Sequence, residues 1–476
     1  MNDQVSYDVV VIGGGPVGQN AADYAIRGSD RTAVIVEHEL VGGECSYWAC
    51  MPSKALLGPG AALEAVRALP GAAERVVDAR PDRDALLAWR NTVTSSRDDS
   101  SQVEWATGAG IDVLRGHGRL DGPRQVRVGE QLVHARQAVV IATGSVATIP
   151  PNPGLREALP WTSRDATNIV DVPGSLLIVG GGVVACEAAT WLCDLGATVT
   201  MAVRGDRLLP KTEPFVSERV AAGLAERGVD IRFSTTLSSV DRPDAADTGY
   251  GRIHGVSAQV VFDDGAELTV DEILVAAGRS PATADLGLSS IGLEDKGPIG
   301  VDDQLTVPDH PWLYAVGDVN GRVALTHMGK YQARVAGEVI AARAGNGDID
   351  DARYFASSDH DAVPQVVFTR PEMAAVGLTE AQARGRGLEV RVLESDISVA
   401  GSYLLGPDYS GHAKLVVDDA RGVLLGATFV GAQTGELVHS ATVAIVGQVP
   451  LDRLWHAVPS YPTVSEVWLR LLDQAH

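Results

Sequence analysis

The sequence predicts an α/β fold with two Rossmann-like dinucleotide-binding domains followed by a C-terminal α+β domain. Three observations predict it. Residues 9–37, "VVVIGGGPVGQNAADYAIRGSDRTAVIVE", run from a β-branched stretch through a glycine cluster and an Ala-rich helical stretch into a second strand. Residues 175–204, "SLLIVGGGVVACEAATWLCDLGATVTMAVR", repeat that order. From residue 364 the chain turns strand-rich and closes with helical segments. With 476 residues the chain is too long for a single core and divides into roughly three domains.

In the first unit Gly13, Gly15 and Gly18 have the Gly-x-Gly-x-x-Gly spacing between strand and helix, and Glu37 ends the second strand 19 residues after Gly18. Glycines there permit a tight turn and close backbone approach, so a pyrophosphate sits at the helix N-terminus while the acid takes a ribose hydroxyl. The second unit carries Gly180, Gly182 and Ala185, so one chain is expected to bind two dinucleotides. Its closing strand ends without an acid and is followed by Arg204 and Arg207. Arginine accommodates a 2′-phosphate, which favours NADPH over NADH; the alternative is a pair of solvated surface charges. Cys186 and Cys193, seven residues apart on this unit's helix, read as core packing.

Between and after these units, "QAVVIATGSVATIPPNPG" and "DEILVAAGRSPATADLGL" are strands that run into Gly and Pro breakers, as domain exits do. "WLYAVGDVNG" is a strand ending at Gly317-Asp318 and is followed by a helical stretch. "PQVVFTRPEMAAVGLT" and "HAKLVVDDARGVLLGATFVG" then begin a separate α+β domain.

A net charge of −22 opposes nucleic acid and anionic membrane as partners and leaves small molecules and proteins. No apolar run reaches the ~18 residues of a membrane span, and the N-terminus enters a strand directly, so the expected compartment is the cytoplasm. Only four cysteines occur, too few for a disulfide scaffold. Cys45 and Cys50 lie close together in "GGECSYWACMPSKALL", which in a reducing compartment points to catalysis or metal binding, against two unrelated thiols as the alternative. A zinc site would need further ligands, and no His-x-His or second Cys pair is nearby; no metal is expected.

Taken with "ATGS", "AAGRSP", "YAVGD", "FTRPEMAAVGLTE" and the near-terminal "YPTVSE", these motifs resemble, in family order and over nearly the whole chain, the flavoprotein (pyridine nucleotide) disulfide oxidoreductases, which include dihydrolipoamide dehydrogenase, glutathione reductase and mercuric reductase. The resemblance implies FAD held by Gly13, Gly15, Gly18 and Glu37, with Asp318 on the ribityl or phosphate groups and Thr143 and Gly144 at a domain crossover. It implies a pyridine nucleotide at Gly180, Gly182 and Arg204, adds Gly278 as a cofactor-binding position, and pairs Lys54 with Glu187 near the flavin ring. It also implies a homodimer with an FAD-binding domain at 1–154 and 280–350, an NAD(P)H-binding domain at 155–279 and a dimerisation domain at 351–476.

Cys45 and Cys50 become, by the same resemblance, a redox disulfide in which Cys50 contacts the flavin and Cys45 attacks the substrate. Cα atoms five residues apart on a regular helix lie roughly 8–9 Å from each other, beyond the ~7 Å a disulfide tolerates. The segment is therefore expected to enter its helix irregularly, with Pro52 as the disturbing residue. Tyr47 and Trp48 are bulkier than this spacer usually carries and are expected to narrow the site or stack on a substrate.

One departure bears on function. Where the family delivers a histidine from the partner subunit, with a glutamate five residues on, this chain has Tyr461 and Glu466. Mercuric reductase also has a tyrosine in this region, but this chain ends "LLDQAH", without that enzyme's C-terminal cysteine pair. His456 lies five residues upstream and reads as a turn histidine or a substitute. The expected acceptor therefore needs no strong proton donor: a quinone, a metal ion or an unusual disulfide. The alternatives are a dihydrolipoamide or low-molecular-weight disulfide reductase, and a flavin-bearing redox sensor.

Overall fold

The computed structural model describes residues 5–475. The chain forms two compact units, one comprising the segment up to Pro52, Asn91–Ala147 and Arg279–Asp359, the other Ser53–Arg90, Thr148–Gly278 and the chain from His360 onward.

The first unit is built on a mixed sheet whose strands run in the order Thr306–Val307, His310–Ala315, Gln131–Ile141, Val5–Ile12, Ala33–Glu37 and Ile111–Arg115. Its four central pairings are parallel, with Val10 opposite Val34 on one side and Val139 on the other. Parallel strands need cover on both faces, which is why "VVVI" is apolar without alternation. Val9, Val11, Ile35 and Val140 pack with Ala21, Ala25, Ala333 and Ala336 of the helices Pro16–Ile26 and Thr326–Ala344. Val10, Ile12, Val34 and Ile141 pack on the opposite face with Val126 and Leu313. Gly337 allows the two helices their close approach, since a Cβ there would lie 2.5 Å from the Tyr24 Cβ.

In the second unit a four-stranded parallel sheet orders Asp230–Phe233, Thr198–Val203, Ser175–Val179 and Glu272–Val275. A separate five-stranded antiparallel sheet orders Pro364–Val367, Glu372–Gly377, Val423–Gly431, His412–Asp418 and Val390–Asp396. The helices Leu437–Val446 and Val467–Leu472 cover it, with Phe429 and Trp468 in ring contact at 5.8 Å. Two nucleotide-type sheets with parallel central strands and a C-terminal α+β layer are thus present, as the sequence predicts. Among the described residues no helix is long and apolar enough to cross a membrane.

Candidate functional site

The three glycines of the first loop are required for two different reasons. Gly13 has φ +108° and its Cβ would sit 2.4 Å from the Ala142 carbonyl oxygen; at Gly18 a Cβ would lie 1.9 Å from the Gly13 oxygen. Protein packing alone excludes side chains at both. Gly15 differs: its φ of −65° suits any residue, and the nearest atom to an added Cβ is the Gly43 Cα at 4.0 Å. It caps the Pro16–Ile26 helix, no side chain accepts from that N-terminus, and proline occupies the first helical position. The loop therefore presents uncapped backbone N–H groups at a concavity that a Cβ would fill, a fit for the pyrophosphate of a dinucleotide. Glu37 lies buried beside it, accepting from the Gly14 N–H at 2.7 Å through Oε2 and from the Glu39 N–H at 2.7 Å through Oε1.

Asp318 follows the His310–Ala315 strand, and its Oδ2 accepts from the Ser145 hydroxyl at 2.6 Å. Ser145 in turn receives Arg279, whose Nε donates to Oγ at 2.8 Å and whose Nη2 donates to the main-chain oxygen at 2.6 Å. The short antiparallel pair Ser145–Ala147 and Arg279–Pro281 holds this arrangement, and the adjacent Thr143 donates to the Ala282 oxygen at 2.8 Å. Ser145 and Arg279 were not singled out by the sequence; their position inside "ATGS" and "AAGRSP" was the available signal.

The cysteine segment breaks as the spacing requires, though not at Pro52. The helix Gly43–Tyr47 ends at Trp48, whose φ of −135° and ψ of −3° leave the helical region, and a second helix begins at Cys50. Pro52 lies in the first turn of that helix, where a missing N–H costs nothing. The Cys45 thiol hydrogen-bonds Cys50, and this bond, then burial, pushes it well above the usual thiol range, against the opposing pull of Thr326 and the Lys330 charge. Cys50 Sγ lies 3.3 Å from Thr326 Oγ1. Tyr47 and Trp48 correct the expectation of a substrate-facing spacer: each is 3% exposed, and the Tyr47 hydroxyl donates to the Val41 oxygen at 3.1 Å. They anchor the turn from inside.

Within the second unit, Lys54 Nζ donates to both Glu187 oxygens, at 2.8 and 3.1 Å, and Glu187 also accepts from the Phe368 N–H at 3.1 Å. Glu187's side chain is 5% exposed and Lys54's 38%, with the ammonium 4.8 Å from the Phe368 ring centre. A buried carboxylate tolerates its charge only with such partners. The second glycine loop repeats the first. Gly180, at φ +134°, leaves no room for a Cβ against the Ala276 oxygen at 2.3 Å, while Gly182 meets nothing. Gly278 also has positive φ, +127°. Arg204 is exposed after the Thr198–Val203 strand, whereas Arg207 turns back to donate to the Pro210 oxygen at 2.8 Å. Cys186 is fully buried as expected, and Cys193, half-buried, packs against the same core cluster while also lining a cavity.

In the C-terminal layer Tyr461 is 77% exposed and Glu466 Oε2 accepts from the Gly401 N–H at 3.3 Å. His456 is exposed, its ring edge-on to Trp455 at 5.1 Å.

Residues 7–333 match the family described as pyridine nucleotide-disulphide oxidoreductase, and residues 363–471 match its dimerisation domain. A dihydrolipoyl dehydrogenase of Thermus scotoductus is 32% identical over 99% of this chain and 98% of its own length. One from Halobacterium salinarum is 31% identical over 98% and 96%. The HOCl-induced flavoprotein disulfide reductase RclA from Escherichia coli, solved as a Cu(II) complex, shares the fold with a TM-score of 0.83 at 23% identity, over 99% of this chain and 100% of that one. FAD and a pyridine nucleotide are the cofactors typical of the family. The chain therefore belongs to the pyridine nucleotide-disulphide oxidoreductases and is an NAD(P)H-dependent flavoprotein oxidoreductase of the disulfide reductase type.

Proposed function

We propose that this enzyme passes electrons from NADPH through FAD and a Cys45–Cys50 redox pair to an acceptor that needs no proton donor, with a thiophilic metal ion as the leading substrate. The observation that carries the reading is Tyr461, an exposed phenol at the position where the resemblance expects a histidine. Bound FAD supplies the hydride acceptor for NADPH and the two electrons that reduce the disulfide. Gly13, Gly15, Gly18 and Glu37 are its proposed phosphate and ribose site, with Asp318, Thr143 and Gly144 completing it. The Lys54–Glu187 pair is assigned to tuning the flavin ring, and Gly180, Gly182, Gly278 and Arg204 to holding NADPH, Arg204 on the 2′-phosphate. In the reduced pair Cys45 keeps its proton by donating to Cys50, so Cys50 is the sulfur free to carry negative charge.

RclA, whose fold this chain shares, is described as a Cu(II) complex, which supports a metal ion among the acceptors considered. Reduction then balances simply: a dithiol and two Cu(II) give a disulfide, two Cu(I) and two protons. The relatives named dihydrolipoyl dehydrogenase favour a second reading, reversible dihydrolipoamide oxidation with Glu466 and a proton relay through His456 or water. A homodimer is supported by the dimerisation-domain match, within which Tyr403, Leu404, Val443, Val446 and Val458 are exposed apolar side chains. The deciding experiment is anaerobic NADPH oxidation against Cu(II), a quinone, lipoamide and glutathione disulfide. Fast turnover with Cu(II) and slow turnover with both disulfides is expected; lipoamide as the best acceptor would reverse the order of the two readings.

A further inference from the structure

Within the second unit a cavity of ≈ 270 Å³ is lined by four arginines, Arg67, Arg80, Arg227 and Arg370, against two carboxylates, Asp194 and Glu226, with Cys193 in its wall. Four guanidinium groups facing one concavity run against the charge of a chain that is −22 overall. Their partners do not neutralise them all. Arg370, whose side chain is 9% exposed, pairs with Asp194 and reaches Glu64 at 3.5 Å, but its Nε has no acceptor. Arg227 pairs with that same Glu64 and donates its remaining bond to the Gly223 oxygen at 2.8 Å. Arg67 donates only to the main-chain oxygens of Val76 and Ala79, and Arg80 is exposed with no polar partner among the described residues. Main-chain oxygens satisfy hydrogen bonds without cancelling charge, and an unsatisfied buried donor calls for a water or an ion.

The site is also built from the glycine side. At Gly60 a Cβ would lie 2.0 Å from Asp194 Oδ2 and 2.9 Å from Arg370 Nη1, so glycine there lets the Arg370–Asp194 pair stand in the cavity wall. We propose that this cavity binds a small multivalent oxyanion, a phosphate or a short polycarboxylate, with Arg67 and Arg80 at its mouth and Arg370 behind them. Guanidinium forks match the paired oxygens of both groups. The volume is below the range of drug-sized sites and far too small for a dinucleotide, which separates this pocket from the nucleotide loops.

Cys193 gives the site its own reporter. Burial, with Asp194 adding, holds its thiol up at about 11, while Arg227, Arg370 and Arg80 pull it down. A bound anion would cancel those arginines and cover the sulfur, and both effects slow alkylation. The holoenzyme is treated with iodoacetamide in inorganic phosphate, in citrate, or in chloride of matched ionic strength, and Cys193 labelling is followed by peptide mass spectrometry. Labelling is expected to slow about tenfold at an anion concentration about ten times its Kd, with phosphate and citrate distinguishing the two oxyanion classes. The double variant Arg67→Ala/Arg80→Ala, which changes only exposed side chains, should keep NADPH-oxidising activity and lose the protection. Unchanged labelling of the wild type in both anions, or full protection in the double variant, would overturn the proposal.

Discussion

Gly15→Ala separates what the protein needs from what its cofactor needs. Gly15 has φ −65° and ψ 175°, open to any L-residue, and the added methyl meets no protein atom closer than 4.0 Å. The flavin-free protein should therefore be no less stable than wild type, with a gain of ~0.4–1 kcal/mol from the restricted unfolded chain. The same methyl would stand in the concavity at the uncapped helix N-terminus, holding a pyrophosphate away from the backbone N–H groups. Charge-assisted bonds contribute ~1.5–3 kcal/mol each. Losing two costs ~3–6 kcal/mol, a Kd for FAD weaker by ~10²–10⁴-fold. The assay is FAD titration of flavin-free protein by quenching of flavin fluorescence, beside thermal unfolding of the same preparations. Gly18→Ala is the contrasting control, since its Cβ would lie 1.9 Å from the Gly13 oxygen and should unfold the domain itself. A Gly15→Ala protein that binds FAD as wild type does, or that melts like Gly18→Ala, would refute this reading of the loop.

Cys45→Ser should leave Cys50 as a lone thiolate and give a long-wavelength absorbance with oxidised flavin, while Cys50→Ser should not; identical spectra would remove the pair from the electron path. Because the bond to Cys50 is the largest cause raising the Cys45 thiol, Cys50→Ser should let Cys45 ionise at lower pH, and iodoacetamide should label Cys45 faster at pH 8 than in the reduced wild type. Arg204→Glu should weaken NADPH far more than NADH in steady-state kinetics, since it removes a phosphate partner and adds repulsion; equal effects would make Arg204 a surface charge. Tyr461→His should raise lipoamide turnover, by up to the ~10²–10⁴-fold that a matched general acid contributes, and Tyr461→Phe should change it little; a histidine variant no better than wild type would place the proton source elsewhere.

Local periodicity carried most of the fold. A continuous "VVVI" run followed by spaced glycines says parallel strand, turn and helix without reference to distant residues. The strand Val390–Asp396 was harder to see, because "VRVLESD" mixes charge into a half-buried edge of its sheet. Site details failed wherever they depended on which way a side chain points. Tyr47 and Trp48 look like substrate contacts from their place between the cysteines, yet the helix break turns both inward. Lys54 and Glu187 are 133 residues apart, and no spacing rule joins them; only the resemblance did. Cys193 packs on the core as its helix spacing suggested, but the cavity it also lines was invisible in sequence, because that cavity is built from chain segments around residues 67, 80, 227 and 370, whose charges converge only in three dimensions.

The choice of acceptor reduces to where protons go. A dithiol that reduces a disulfide must see two leaving thiolates protonated, and a side chain with pKa near ~6.5 does this at neutral pH while also giving positive charge to the attacking sulfur. Tyrosine, near ~10, remains neutral and donates poorly. Here the exposed Tyr461 stands where that side chain would be expected, and Cys45 already holds its own proton against ionisation by bonding Cys50. Both features handicap attack on a disulfide. Neither handicaps a metal ion, because that reaction releases the two thiol protons to solvent, whereas exchange with a disulfide must hand them to the leaving sulfurs, and a thiophilic cation itself drives thiols to give up theirs. The two features therefore act in the same direction, favouring an acceptor that displaces the Cys45 proton by binding sulfur.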